Sequence, residues 1–167
     1  MRLPKVKPSI SLSVMCMLLV VLLVFPATLH LRQARADNEH PRDRLVGAWQ
    51  LVWLEEPDRE GKIQRADCTG LLVFTGDGHM SVQVMYRHPQ TGGQHVPVQY
   101  AQGGYEASFG TYLVDENNHT FTFHVEGAMV RSLIGKDLPR DFKLSGNQLI
   151  VKSSNPNEHW RVAWEHY

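Results

Sequence analysis

Apolar and polar residues alternate with a period of two along much of the chain after residue 45. In the first such run, 48–55, Trp49, Leu51 and Trp53 fall on one side, so one face of a strand would present bulky apolar surface. Further runs cover 70–75 and 79–87, joined by Gly76-Asp77-Gly78, a tight hairpin turn in which Gly accepts positive φ and Asp tolerates it. Residues 109–115 and 119–126 form a second pair about Glu116-Asn117-Asn118. Residues 141–144 and 148–152 form a third about Ser145-Gly146-Asn147, and 160–165 close the chain. Residues 129–134 are short and mostly apolar, and 56–62, with Pro57, Asp58 and Gly61, read as a loop. Tyr105-Glu106-Ala107-Ser108 reads as a helical turn. The pattern predicts an all-β domain of about eight strands, with no helix of ten or more residues. Short strands joined by hairpins suit a sandwich or an up-and-down barrel. Meander connections favour the antiparallel up-and-down barrel, which also removes edge strands. Residues 88–104 contain Pro89, Gly92, Gly93, Pro97, Gly103 and Gly104 with little periodicity. A loop this long is a candidate lid.

The first 36 residues follow a different pattern. Arg2, Lys5 and Lys7 precede an apolar stretch that runs unbroken from Val14 to Phe25, and Pro26 ends it. Ala34 and Ala36 place small residues before Asp37. These are the parts of a signal peptide, so the domain is expected to be exported, periplasmic or secreted. The alternative is an uncleaved anchor, although the apolar core is shorter than the roughly 20 residues that a spanning helix needs. The expected organisation is a signal peptide (1–36), a flexible lead-in (37–44) and the barrel domain (45–167). Any contact with a membrane would run through the N-terminal segment.

Cleavage changes the charge. The whole chain carries 17 Lys+Arg and 17 Asp+Glu. Loss of Arg2, Lys5, Lys7, Arg32 and Arg35 leaves 12 basic residues against 17 acidic ones, a net charge of −5 with His neutral. That balance speaks against a nucleic-acid partner, whose phosphates demand clustered Lys and Arg. Only Cys68 remains, so no intrachain disulfide can form and packing alone must hold the domain. Cys68 precedes Thr69-Gly70 at a loop-to-strand junction and reads as a half-buried inert thiol.

Several segments together resemble the lipocalin-like (calycin-type) family of small β-barrels. They are Gly47-Ala48-Trp49 within 45–52, the stretch 69–83, Phe109-Gly110-Thr111-Tyr112, and Phe123-His124-Val125-Glu126-Gly127. The resemblance implies that Trp49 closes the barrel floor. It also implies an internal cavity for a small, mostly apolar molecule. In such barrels a late basic residue often packs on the entry tryptophan, and Arg131 and Arg161 are both candidates for that place on Trp49.

Candidate chemistry is sparse. His124 and Glu126 share one face of their strand with Thr120 and Thr122, while Phe121, Phe123 and Val125 take the other. Either the Phe face is the core and His124 and Glu126 are solvated, or the strand lines a polar-tipped cavity. The resemblance, in which His-x-Glu-Gly recurs, favours the inward arrangement. There the pair could orient a ligand or transfer a proton. Gly110 would admit a ligand or a neighbouring backbone, and Tyr112 would bring a phenol to a pocket or sit in the core. Gln83 and Ser81 are either solvent-side residues or pocket donors. Trp49, Met85 and Tyr112 are candidate walls, and Gln83, His124 and Glu126 candidate anchors. Phe109 joins the walls only if a bend turns it inward. The eight histidines beyond residue 36 are scattered without metal-ligand spacing, and neither a nucleophile elbow nor a phosphate loop is present, so no metal or cofactor is expected. The expected function is binding of a small hydrophobic or amphipathic molecule in the barrel. The alternatives are a barrel-shaped cyclase or isomerase using His124 and Glu126 as acid and base, or a filled-barrel interaction protein.

Overall fold

The computed structural model describes residues 40–58, 60–88 and 103–167. The expected signal peptide and most of the candidate lid lie outside the described residues. The alternating runs form nine strand segments. These are β1 (Gly47–Pro57), β2 (Ile63–Ala66), β3 (Cys68–Phe74), β4 (His79–Tyr86), β5 (Tyr105–Asp115), β6 (Thr120–Ala128), β7 (Asp137–Ser145), β8 (Gln148–Ser153) and β9 (Arg161–His166). Every pairing is antiparallel, and from β3 to β9 each strand pairs with the next. β9 then returns to one edge of β1, whose other edge carries β3 and, further along, β2. β2 and β3 therefore act as one stave interrupted at Asp67, and the sheet is a closed eight-stranded antiparallel barrel.

Two elements differ from the sequence pattern, and a third goes beyond it. Residues 105–108 are not a helical turn but the start of β5, because Tyr105 to Ser108 pair with Met85 to Val82 of β4. β7 begins at Asp137, opposite His124 of β6, several residues earlier than the apolar alternation marks. Residues 129–134, which the pattern marks only as short and mostly apolar, contain a 3₁₀ turn, Arg131–Leu133.

Two bulges set which side chains face inward. Leu51 pairs with Trp164 and Trp53 with Ala163, so Val52 is an extra residue on β1. Alternation changes phase there. Trp49 and Leu51 are buried, then Leu54 and Glu56, while Trp53 turns outward. Its expected place beside Trp49 and Leu51 is thereby corrected. On the outer face Trp53 stacks against Arg65 and Arg161, at 5.3 and 5.5 Å. Both arginines also bond Glu55, which holds its carboxyl below the usual range. The second bulge lies at Glu126, between the pairs Phe109–Gly127 and Gly110–Val125. It brings the carbonyl of His124 so close to Gly110 that a Cβ there would clash with it. The close approach expected at Gly110 is thus that of a neighbouring backbone.

One end of the barrel is plugged. A helical turn, α1 (Pro41–Leu45), covers the second half of the expected lead-in (37–44) and ends on the fully buried Leu45. Trp49 Nε1 donates to the Leu45 carbonyl at 2.8 Å, and the His166 ring meets the Trp49 ring edge-on at 4.7 Å. Gly47, at φ 137°, leaves the space where a Cβ would collide with that histidine. The Gly-x-Trp spacing thus serves one packing arrangement. His166, rather than Arg131 or Arg161, covers Trp49. Phe74, Tyr112 and Phe121 pack above, with Phe74 edge-on to both neighbours.

Gly110→Ala should lower unfolding stability in urea by about 1–3 kcal/mol, because backbone must move to admit the methyl group. Gly76→Ala, at a turn with nothing within 4 Å of the new atom, should change it little. Equal midpoints for the two variants would contradict this account of the bulge.

Candidate functional site

The inward positions of β3 to β9 are apolar nearly throughout. Leu72, Met80, Val82, Val84, Phe121 and Phe123 meet Val151, Val162 and Trp164 across the barrel. Above the packed plug they leave a cavity of about 80 Å³, with Leu54 and Trp160 completing its wall. Two ionisable side chains reach it, Glu106 from β5 and Arg140 from β7. Both occupy regular inward positions: Glu106 continues the series Tyr112, Gly110, Ser108, and Arg140 continues Leu144, Phe142.

Arg140 is 7 % exposed. Its Nη1 donates to the Pro139 carbonyl at 3.0 Å and to Ser153 Oγ at 3.5 Å, and its guanidinium lies 5.1 Å from the Trp160 ring centre. Burial pushes the Glu106 carboxyl up to about 7, with the charge of Arg140 partly opposing the rise. Among the described residues no hydrogen bond reaches that carboxyl. Trp164 Nε1 is buried and has no hydrogen-bond partner among them either. A buried donor left without a partner carries a desolvation cost.

A second buried carboxyl is differently placed. Glu56 accepts a 2.9 Å hydrogen bond from the Tyr86 hydroxyl. Burial raises the Glu56 carboxyl, and the Tyr86 bond opposes the shift. Tyr86 itself is strongly raised by burial and then by the charge of Glu56. Cys68 lies nearby, half-buried, with burial and then Glu56 pushing its thiol up to about 11, so it stays protonated and unreactive near neutral pH.

The structure places most of the expected site residues elsewhere. Trp49 and Tyr112 are buried in the plug, outside the cavity wall, and the Tyr112 hydroxyl donates to the Thr75 carbonyl at 2.9 Å. On β4 the inward series is Met80, Val82, Val84 and Tyr86, which sends Gln83 and Met85 outward. Gln83 bonds Ser81 at 2.8 Å there, and Met85 is 47 % exposed. No bend turns Phe109 inward. It is 56 % exposed, with its ring over Gly127 of the neighbouring strand. Phe121, Phe123 and Val125 form the core face of β6, so His124 and Glu126 are exposed. His124 Nδ1 lies 2.8 Å from Asp137 Oδ1 on the outer surface. The inward reading of His124 and Glu126 is corrected on this point, and an acid–base pair made of them would have no enclosed space to act in. Among the described residues no three His, Cys, Asp or Glu side chains are placed to hold a metal ion.

Sequence reasoning passed over Glu106, Arg140 and Trp164. Counting back by twos from Tyr112 and Phe142 would have reached the first two, a carboxylate and a guanidinium on core-facing positions. Both stand where the apolar alternation fades, at strand ends that read as turn or loop.

A family model described as a lipocalin-like domain matches residues 46–166. Two solved structures are similar: a lipocalin-like protein from Bacteroides uniformis and an uncharacterised protein from Bacteroides eggerthii. Each is 15 % identical with a TM-score of 0.43, over 74 % of this chain and 99 % of the other. No curated protein matches the chain.

The raised Glu106 pKa makes a signed prediction. Between the ordinary carboxyl value of 4.5 and about 7 the folded protein holds a proton there that the unfolded chain has lost. The contribution is therefore fully present below pH 4.5, declines as pH rises through 7, and is absent above. Glu106→Gln should be more stable than the parent at pH 8, by roughly 1–3 kcal/mol, with the advantage vanishing near pH 4. Urea denaturation of both proteins at the two pH values checks this. A pH-independent difference would place the ionisation elsewhere.

Proposed function

Because the chain belongs to the lipocalin-like domain family, we propose that it is an exported carrier or sensor that takes a small, largely apolar molecule into its barrel cavity. The observation behind this reading is the cavity itself, an apolar wall at the unplugged end interrupted by Glu106 and Arg140. A mostly apolar pocket with a few convergent polar groups is the usual form of a small-molecule site. Its volume of about 80 Å³ is roughly half that of a cavity known to hold benzene. The occupant is therefore a molecule of few heavy atoms, or the inserted end of a longer one that emerges past Trp160. Export rests on the basic start, the apolar run and Ala34-Arg35-Ala36.

A second reading draws on one observation. A buried carboxyl that titrates near 7 is suited to general acid–base work, so a cyclase or isomerase of this shape would use Glu106 in place of His124 and Glu126.

Two neighbouring residues test the binding reading. Val84 lines the cavity and Met85 faces out. In a titration followed by tryptophan emission, Val84→Phe should weaken binding of a small apolar probe at least tenfold, and Met85→Ala should leave it unchanged. Equal effects would place the probe on the outer surface. Recovery of the probe chemically altered would favour the enzyme. For export, the protein recovered from outside the cytoplasm should begin at Asp37. Retention of residues 1–36 in a membrane fraction would contradict cleavage.

A further inference from the structure

We propose that Glu106 couples the cavity to protons: an uncharged, largely apolar molecule is held while the Glu106 carboxyl carries its proton, and is released as that proton is lost to more alkaline surroundings. This rests on the cavity-binding reading above and specifies how that site is regulated.

The sign of the coupling follows from where the carboxyl stands. Glu106 lines the cavity of about 80 Å³ beside Met80, Val82, Val84, Phe121 and Phe123. It is half-buried, and among the described residues no hydrogen bond reaches it. An ionised carboxylate in that place depends on solvent for part of its stabilisation. An apolar occupant displaces that solvent and returns no hydrogen bond. It therefore penalises the ionised form far more than the protonated one. A ligand that meets one of two states better shifts the balance between them, and by linkage the proton shifts the affinity for the ligand.

The surrounding charges leave that sign in place. Arg140 of β7 attracts the ionised form, and burial outweighs the attraction. Arg140 has partners of its own in the Pro139 carbonyl, the Ser153 hydroxyl and the Trp160 ring, so it is held in place whether or not Glu106 is ionised. Tyr86 on β4 is neutral, with its hydroxyl donated to Glu56 of β1, and Cys68 on β3 is protonated. Burial raises Glu56 as well, but Glu56 lies outside the cavity wall. Glu158, ahead of β9, accepts from Trp160 Nε1 at 3.2 Å. From β6, β8 and β9 the cavity receives Phe121, Phe123, Val151, Val162 and Trp164, which do not titrate. The Glu106 carboxyl, pushed up to about 7, sets the changeover near neutral pH.

Below about pH 7 the carboxyl already carries its proton, and affinity is flat. Above, binding takes a proton up, and affinity declines toward tenfold per pH unit until the occupied state also ionises. The test is titration of the intact protein with hexan-1-ol, an uncharged probe, at pH 6, 7.5 and 9, followed by the emission of the wall residues Trp160 and Trp164. Affinity should fall about tenfold or more from pH 6 to pH 9. Calorimetry at pH 8, in two buffers of different ionisation enthalpy, should report net proton uptake on binding. Glu106→Gln should keep the affinity seen at pH 6 and hold it to pH 9. His124→Ala, on the outer surface, should keep the parent's profile. If Glu106→Gln does not fold, the side-chain carboxyl resonance of Glu106 decides on the parent. Its titration midpoint should rise by about one pH unit or more when hexan-1-ol is bound. Affinity that stays flat or rises with pH, a midpoint that does not move, or a pH dependence that survives in Glu106→Gln would overturn the coupling and leave the cavity reading intact. No binding at any pH would overturn both.

Discussion

The barrel depends on β1 being hydrogen-bonded along both edges. β9 takes one edge, β3 and β2 the other, and among the described residues no other strand joins the first and last parts of the chain. Closure fixes the register of every stave, and the residue that accommodates it is Val52. An extra residue on β1 relative to β9 reverses the inside and outside of everything that follows it on that strand. Leu54 enters the cavity wall and Glu56 reaches Tyr86 because of that reversal. Trp53 is expelled to the surface, where two arginines cover its faces.

The two ends of the barrel then divide the energetics. At the plugged end Leu45, Trp49, Phe74 and Tyr112 are buried with their polar atoms satisfied: the Trp49 indole meets the Leu45 carbonyl and the Tyr112 phenol meets Thr75. Large aromatic side chains buried in edge-on contact are the densest source of stabilisation in such a domain. At the other end Glu56 and Arg140 are buried and Glu106 is half-buried, and burial of ionisable groups opposes folding unless they are paired. The plug supplies the surplus that lets the cavity keep groups which the fold alone does not require.

This division explains what was legible in the sequence. Hairpin turns at Gly76-Asp77-Gly78, Glu116-Asn117-Asn118 and Ser145-Gly146-Asn147 are local, and they join strands where the sequence marks them. Gly47 and Trp49 lie two residues apart and serve one packing arrangement, and their place at the floor was legible through the family resemblance. The direction of β6 was open to alternation alone, and only the closed barrel shows that its phenylalanine face is the core. The bulge at Val52 has no local signature, because it reflects the register with a strand more than a hundred residues away. The cavity groups were hidden for a related reason. Glu106 and Arg140 interrupt the apolar alternation that defines a core strand, so the residues most useful for chemistry are the ones that make their strands look like loops.

The contrast between the buried Glu56 carboxyl and the half-buried Glu106 carboxyl carries the functional argument furthest. Glu56 and Glu106 both face inward, and burial raises both. Glu56 has a phenol donating to it at 2.9 Å, an arrangement that satisfies its oxygen within the protein. Glu106 has the diffuse influence of Arg140 and no donor of its own among the described residues. A carboxyl needed only for folding could have been replaced by an apolar side chain of similar size at little cost, as buried ionic groups often can. One that lines a cavity is placed to meet whatever occupies that space. The wall therefore suits an occupant that is apolar over most of its surface, with a polar end beside Glu106 and Arg140.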